Sequence, residues 1–75
     1  MKLYEAKAQK KYKVIGVQLQ PEIMNRVLNL GIFVGAIVYV VKSATKSSPI
    51  LINCHGLNVA FGGGISKNIE VFENE

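Results

Sequence analysis

Two glycines divide the most apolar stretch of this chain and limit what it can fold into. Residues 26–41 read Arg-Val-Leu-Asn-Leu-Gly-Ile-Phe-Val-Gly-Ala-Ile-Val-Tyr-Val-Val, with Gly31 and Gly35 as the only breaks. Before Gly31, Ile23, Val27 and Leu30 recur at helical spacing, with Met24 and Leu28 beside them. Glycine accepts the left-handed conformation that ends a helix, so Gly31 is a stop. A type II turn needs a positive φ at its third residue, and Gly35 supplies it after Phe33 and Val34. The β-branched run that follows favours a pleated surface. The segment therefore reads as helix, stop, tight turn and strand. It holds almost no catalytic chemistry, and so much apolar surface in a short chain points to docking onto a partner.

The chain has 75 residues, enough for one small domain. A chain of this size buries only about 60% of its unfolded surface. Small folds often gain support from disulfides or a structural metal. Cys54 is the only cysteine and His55 the only histidine, which excludes an intrachain disulfide and a closed zinc site of four Cys and His ligands. The fold must rest on its apolar core or on a partner, and 49% hydrophobic against 19% charged residues agrees with that. The formal net charge of +4 is unevenly spread. Lys2, Lys7, Lys10, Lys11 and Lys13 lie near one end, and Glu70, Glu73 and Glu75 near the other. Residues 1–75 read as a single domain with a core over about 12–72 and a basic, frayed N-terminal arm over 1–11. That arm could attract nucleic acid or anionic lipid, but it lacks the interleaved aromatics of an RNA-binding motif, and no nucleic acid is expected. The longest apolar run, 32–41, is interrupted and far short of the roughly 20 residues of a spanning helix. No apolar leader follows the first lysines. A lone thiol fits a reducing compartment, so the expected location is cytoplasmic.

Along the chain, residues 13–19 form the first strand, with Gly16 marking a bulge or close backbone approach. Pro21 and Glu22 suit a helix start, and the helix runs over 21–30. Strands follow over 36–42, 50–54, 57–61 and 68–72. His55-Gly56 makes a two-residue hairpin turn between two of them, and residues 43–49 form a polar loop. The expected class is all-β with one short helix, a small barrel of about five strands with the helix between strands 1 and 2. Barrel closure would remove the exposed edges of a small sheet.

Few residues offer chemistry. Cys54 and His55 are adjacent, and strand neighbours point to opposite faces, so they would not chelate one metal together. His55 in a turn leaves room for a surface contact with a transition metal, in a sensor that would also use Cys54 and the tail carboxylates, but no metal or other cofactor is expected. Cys54 lacks a second histidine, and the chain has no aspartate, so no nucleophile–base–orienter set can be assembled. No carboxylate pair is placed for acid–base work, and an enzyme is not expected. Gly62-Gly63-Gly64-Ile65-Ser66-Lys67 is not a P-loop, which needs Lys-Ser/Thr directly after the last glycine; it reads as a single helical twist between strands. A ten-residue helix presents a core stripe only about 100° wide. It cannot bury Ile23, Met24, Val27, Leu28 and Leu30 together. Met24, Val27, Phe33 and Val34 are therefore the candidate exposed set for partner binding, and a patch of that kind could also drive weak self-association.

The ordered pattern resembles the ferrous iron transport protein A (FeoA) family, small SH3-like proteins of bacterial iron uptake. Val27, Leu28, Leu30 and Gly31 match its helix end, Gly35 its turn, and Val38, Tyr39 and Val40 its strand. Pro49 and Ile50 match its loop exit, Gly56 its hairpin, Ala60-Phe61 an Ala-Leu pair, and Ile69-Glu70-Val71 its last strand. The match covers about residues 12–72. Val34 stands in place of the turn proline, Ser48 in place of a glycine, and Gly62 in place of the usual arginine. The resemblance implies a non-enzymatic accessory or regulatory role in ferrous iron uptake. Its partner would be the ferrous iron permease, a GTPase-type membrane transporter, met at the inner face of the cell membrane. The same fold forms the C-terminal domain of iron-dependent repressors. An alternative is therefore a stand-alone metal-responsive, nucleic-acid or membrane-surface module, without the DNA-binding and dimerisation helices of a complete repressor.

Overall fold

Alternating burial in each strand gives the sheet one wet face and one dry face. In β1 (Lys10–Val17), Tyr12 and Val14 point inward while Lys11 and Lys13 face solvent. In β2 (Ile37–Lys42), Val38 and Val40 are buried while Ile37, Tyr39 and Val41 lie outside. β3 (Ile50–Cys54) buries Ile50, Ile52 and Cys54, β4 (Leu57–Phe61) buries Phe61, and β5 (Ile69–Glu73) buries Ile69 and Val71. The structure is a computed structural model and describes residues 1–74. The helix α1 (Pro21–Asn29) lies between β1 and β2, and a single turn, α2 (Gly63–Ser66), precedes β5. This is the SH3-like arrangement expected from the sequence, mostly β with one short helix.

All five strands pair antiparallel in the order β4-β3-β2-β1-β5. The sheet does not close into a barrel, which corrects the sequence expectation. β4 and β5 are its two edges, and they do not pair with each other. The reason is what fills the gap between them. α2 packs on β4 and on a 3-10 turn at Leu3–Glu5, and that turn packs on β5. Side-chain packing thus spans the opening that ladder hydrogen bonds would otherwise close. The β5 edge is further covered by the first residues: Val71 N–H donates to the Met1 carbonyl at 2.7 Å, and Lys2 bridges to Glu70. The β4 edge receives no such strand.

The register between β1 and β5 slips between Val14 and Gly16. A Cβ on Gly16 would meet the Glu70 Cβ at 3.4 Å, an ordinary contact, so the slip rather than crowding marks this glycine. Two expectations about the first residues change. Strand β1 begins at Lys10 rather than 13. Residues 1–11 are not a frayed arm outside the core, because Leu3 and Ala6 are buried in it. The buried Tyr12 hydroxyl accepts a hydrogen bond from the Lys7 N–H at 3.0 Å, which fastens the same segment. Among the described residues no buried side-chain nitrogen or oxygen lacks a partner. Ser66, the only buried polar residue described, donates to the Gly62 carbonyl at 3.1 Å.

Candidate partner-docking site

The end of α1 is closed by its own backbone. Gly31 takes φ +87°, its N–H donates to the Leu28 carbonyl at 2.9 Å, and the Ile32 N–H donates to the Val27 carbonyl at 3.2 Å. This is a Schellman cap, and Val27 and Ile32, the two positions whose apolar contact usually accompanies it, are both buried in the core cluster. The chain then turns at once. Gly35 has φ +100°, and the Ala36 N–H donates to the Phe33 carbonyl at 2.9 Å, which closes a turn with Phe33 and Val34 near its tip. The Gly35 N–H donates to the Val14 carbonyl at 2.7 Å and the Val14 N–H to the Ala36 carbonyl at 2.8 Å, so the turn is tied to the centre of β1.

A second turn meets it. His55 and Gly56 both have positive φ, +54° and +81°, as a two-residue turn whose twist matches the flanking strands requires. His55 Nε2 donates to the Gly31 carbonyl at 3.1 Å, and its ring stacks on Phe33 with centroids 6.4 Å apart and planes 22° from parallel. The Gly31 carbonyl lies just past the helix end, where unpaired carbonyls carry partial negative charge. His55 therefore joins the β3–β4 turn to the α1–β2 turn. A Cβ on Gly31 would lie 2.9 Å from Nε2, so glycine is required there both by its φ and by the imidazole.

The structure separates the four residues expected to bind a partner. Val34 is 64% exposed and Phe33 44%. Met24 is half-buried. Val27 is only 1% exposed and is a core residue, which corrects its place in the exposed set. A helix lying on a sheet turns one side inward, and Val27 occupies that side with Ile23 and Leu30 packed beside the core. Sequence reasoning did not single out Leu28 and Leu57 as surface residues, yet both are exposed. The unfilled helical stripe pointed to Leu28; Leu57 gave no signal, since every strand holds apolar residues. The wet face of the sheet also exposes Ile15, Ile37, Tyr39, Val41 and Phe72, interleaved with Lys11 and Lys13. The unbroken apolar run of β2 hid which of its residues face outward.

Cys54 and His55 diverge as expected of neighbours. The Cys54 sulfur is buried, 3.6 Å from the Gly31 carbonyl oxygen and 3.7 Å from that of Ile37. Burial pushes its thiol pKa up, away from the thiolate a nucleophile or metal ligand needs. His55 Nε2 is already committed to a carbonyl. No three His, Cys, Asp or Glu side chains come together for a metal among the described residues. Glu75, one of the tail carboxylates considered for such a site, lies outside the described residues. What this arrangement offers is apolar surface on a turn fixed at several points.

A model of the FeoA domain matches residues 1–72. The chain is similar to the solution structure of the FeoA protein from Chlorobium tepidum, with 32% identity, a TM-score of 0.86, and coverage of 97% of this chain and 70% of that one. It is also similar to a crystal structure described as an iron uptake regulatory protein, FeoA, at 23% identity and TM-score 0.87, covering 99% and 97% of the two chains. ScaR with bound Zn2+ shares the fold at 20% identity and TM-score 0.81, over 95% of this chain and 35% of ScaR. No curated protein matches the sequence at a significant level. The chain belongs to the FeoA family.

Proposed function

We propose, from FeoA membership as the premise, that this chain is an accessory protein of ferrous iron uptake that docks on the cytoplasmic part of the ferrous iron permease through its Phe33–Val34 turn. Membership supports a role in ferrous iron uptake, and FeoA proteins are small accessory domains rather than a known enzyme family. The observation that carries the docking reading is two exposed apolar side chains on a turn held by the Gly31 cap, the Val14 backbone and the His55 latch. Holding apolar side chains in their bound position before contact lowers the ordering cost of association. Exposed Leu28 and half-buried Met24 on α1 extend the surface, and Val27 supports it from the core. The reading includes no cofactor. It places the protein at the inner face of the membrane through its partner; no helix among the described residues is long and apolar enough to cross a membrane.

The test is a pull-down of the purified chain with the permease's cytoplasmic domain and with the full-length permease in detergent. Phe33→Asp and Val34→Asp should fold normally and lose binding to whichever form the native chain captures. Normal binding by both folded variants would overturn the assignment of this surface. A second reading, a stand-alone metal-responsive module, draws on the fold shared with ScaR. Saturable ferrous iron or zinc binding at micromolar metal, lost in His55→Ala, would favour it over docking.

A further inference from the structure

At the other end of the β3–β4 hairpin from His55, a shallow cavity of about 490 Å³ opens between the 43–49 loop and the glycine-rich loop that leads into α2. Its volume falls in the range of small-molecule sites, about 300–1,000 Å³. Its chemistry is one-sided. Lys46 and Lys67 line it together with Thr45, Ser47, Ser48 and the Tyr4 ring, and no carboxylate does. Elsewhere two of the four described carboxylates take cations: Glu70 pairs with Lys2 and the Met1 amine, and Glu73 with Lys10. Neither Lys46 nor Lys67 has such a partner among the described residues.

The donors are partly ordered in advance. The Lys67 ammonium lies 4.8 Å from the centroid of the Tyr4 ring, a cation–π contact that keeps it at the cavity wall. Its stem passes over Gly63, where a Cβ would lie 3.7 Å from Cε. On the opposite wall, the Thr45 N–H donates to the Ser48 carbonyl at 3.0 Å, the Ser47 N–H donates to Thr45 Oγ1 at 3.2 Å, and the Thr45 and Ser48 hydroxyls share one hydrogen bond at 2.7 Å. That shared bond uses one hydroxyl hydrogen and leaves the other free to donate. Lys46, Lys67 and several hydroxyl-bearing side chains thus line one space, and no carboxylate is among its lining residues.

We propose that this cavity binds a phosphate monoester. A monoester dianion carries about −1.5 to −2 charge at neutral pH and three strong acceptor oxygens, which suits two ammoniums and adjacent hydroxyl donors. The cavity leaves room for the group esterified to the phosphate. The site is made of side chains and so differs from a P-loop, which the spacing of the glycines here excludes. The monoester can come from solution or from a lipid headgroup, and the two sources share this chemistry.

Amide chemical-shift titration of the full chain tests the assignment, with inorganic phosphate and glycerol 3-phosphate as soluble probes. Co-sedimentation with phosphatidylcholine vesicles, with and without phosphatidic acid, provides the lipid arm. Saturable shifts confined to residues 43–49, 62–67 and Tyr4 are expected, together with a loss of about tenfold or more in affinity in Lys46→Gln/Lys67→Gln, the size of losing a hydrogen bond to a charged group. Lys11→Gln/Lys13→Gln, which removes equal charge from the sheet face, should bind as the native chain does. Phosphatidic acid binding that is lost in Lys46→Gln/Lys67→Gln, without a response to soluble probes, identifies a lipid source for the same site. Shifts spread over all lysine-bearing segments, equal losses in both double variants, or no saturable binding in either arm would overturn the proposal.

Discussion

The inward side of α1 and the turn after it are built from the same kinds of residue and end in opposite environments. Val27 and Val34 are seven residues apart, yet one is 1% exposed and the other 64%. One positive-φ glycine, Gly31, lies between them, and a second, Gly35, follows Val34 directly. Val27 contributes by being covered: its carbonyl and side chain complete the Schellman cap with Ile32. Val34 is uncovered because the backbone beneath it is already satisfied, through the Phe33–Ala36 bond and the ties to Val14. Apolar character alone therefore does not separate core from contact surface here; the backbone conformation between the residues does.

The sharpest way to break this comparison is the same substitution at both valines. Val27→Asp buries a charge with no partner, a cost of about 3–5 kcal/mol, comparable with the whole stability of a marginal domain, about 5 kcal/mol. It should leave the chain unfolded by circular dichroism. Val34→Asp should change the denaturant midpoint by no more than about 0.5 kcal/mol in stability. Equal destabilisation at both positions would show that the turn is part of the core.

Gly31→Ala probes the hinge between the two regions. A left-handed residue with a Cβ costs about 1–2 kcal/mol, and this Cβ would also displace the His55 ring. Thermal denaturation should show the loss, and the ring-current shifts of Phe33 should change with it. His55→Ala, which keeps the cap and removes the stack, should reproduce the second effect with a smaller part of the first.

The smallest expected effect lies away from both regions. The Glu70 carboxyl is held below its usual pKa of 4.5 first by its hydrogen bond to the Met1 amine and then by Lys2. A depressed folded-state value means that the stabilisation is present above pH 4.5 and is lost as the pH falls through the lowered value. Because the group is solvent-exposed, the effect is small. Melting temperatures of the native chain from about pH 6 down to about pH 3 should fall more than those of Glu70→Gln. Identical slopes would show that the pair adds no stability.

Much of this fold was legible wherever the backbone left one residue type no alternative. Gly31, Gly35 and Gly56 each stand at positive φ, where a side chain would be strained, and each lies in a turn between elements, while Gly16 sits at the bulge inside β1. What was not legible depended on parts of the chain distant in sequence. Leu3 and Ala6 are single apolar residues among lysines, with no period to show that they enter the core. The phase of α1 was hidden because apolar residues surround much of it; the sheet beneath it turned Val27 inward. His55 could be placed in a turn, but its bond to Gly31 spans 24 residues and left no local trace. Closure of the barrel failed for a similar reason, since α2 and the Leu3–Glu5 turn occupy the gap in space while they lie far apart along the chain.

The unequal edges of the sheet give the molecule a direction of growth. The β5 rim is sealed by the chain's own first residues, whereas among the described residues no added strand pairs with the β4 rim, which meets only the packing of α2. Strand addition can therefore propagate from one side only. Across β4, Asn58 and Ala60 lie exposed, with no proline, lysine or bulge to turn a newcomer away. The twofold-related way to occupy that rim pairs β4 with itself and joins two sheets into one. Among the described residues the edges left after that pairing would be the sealed ones, so strand addition of this kind would end at two copies rather than run on into a fibre.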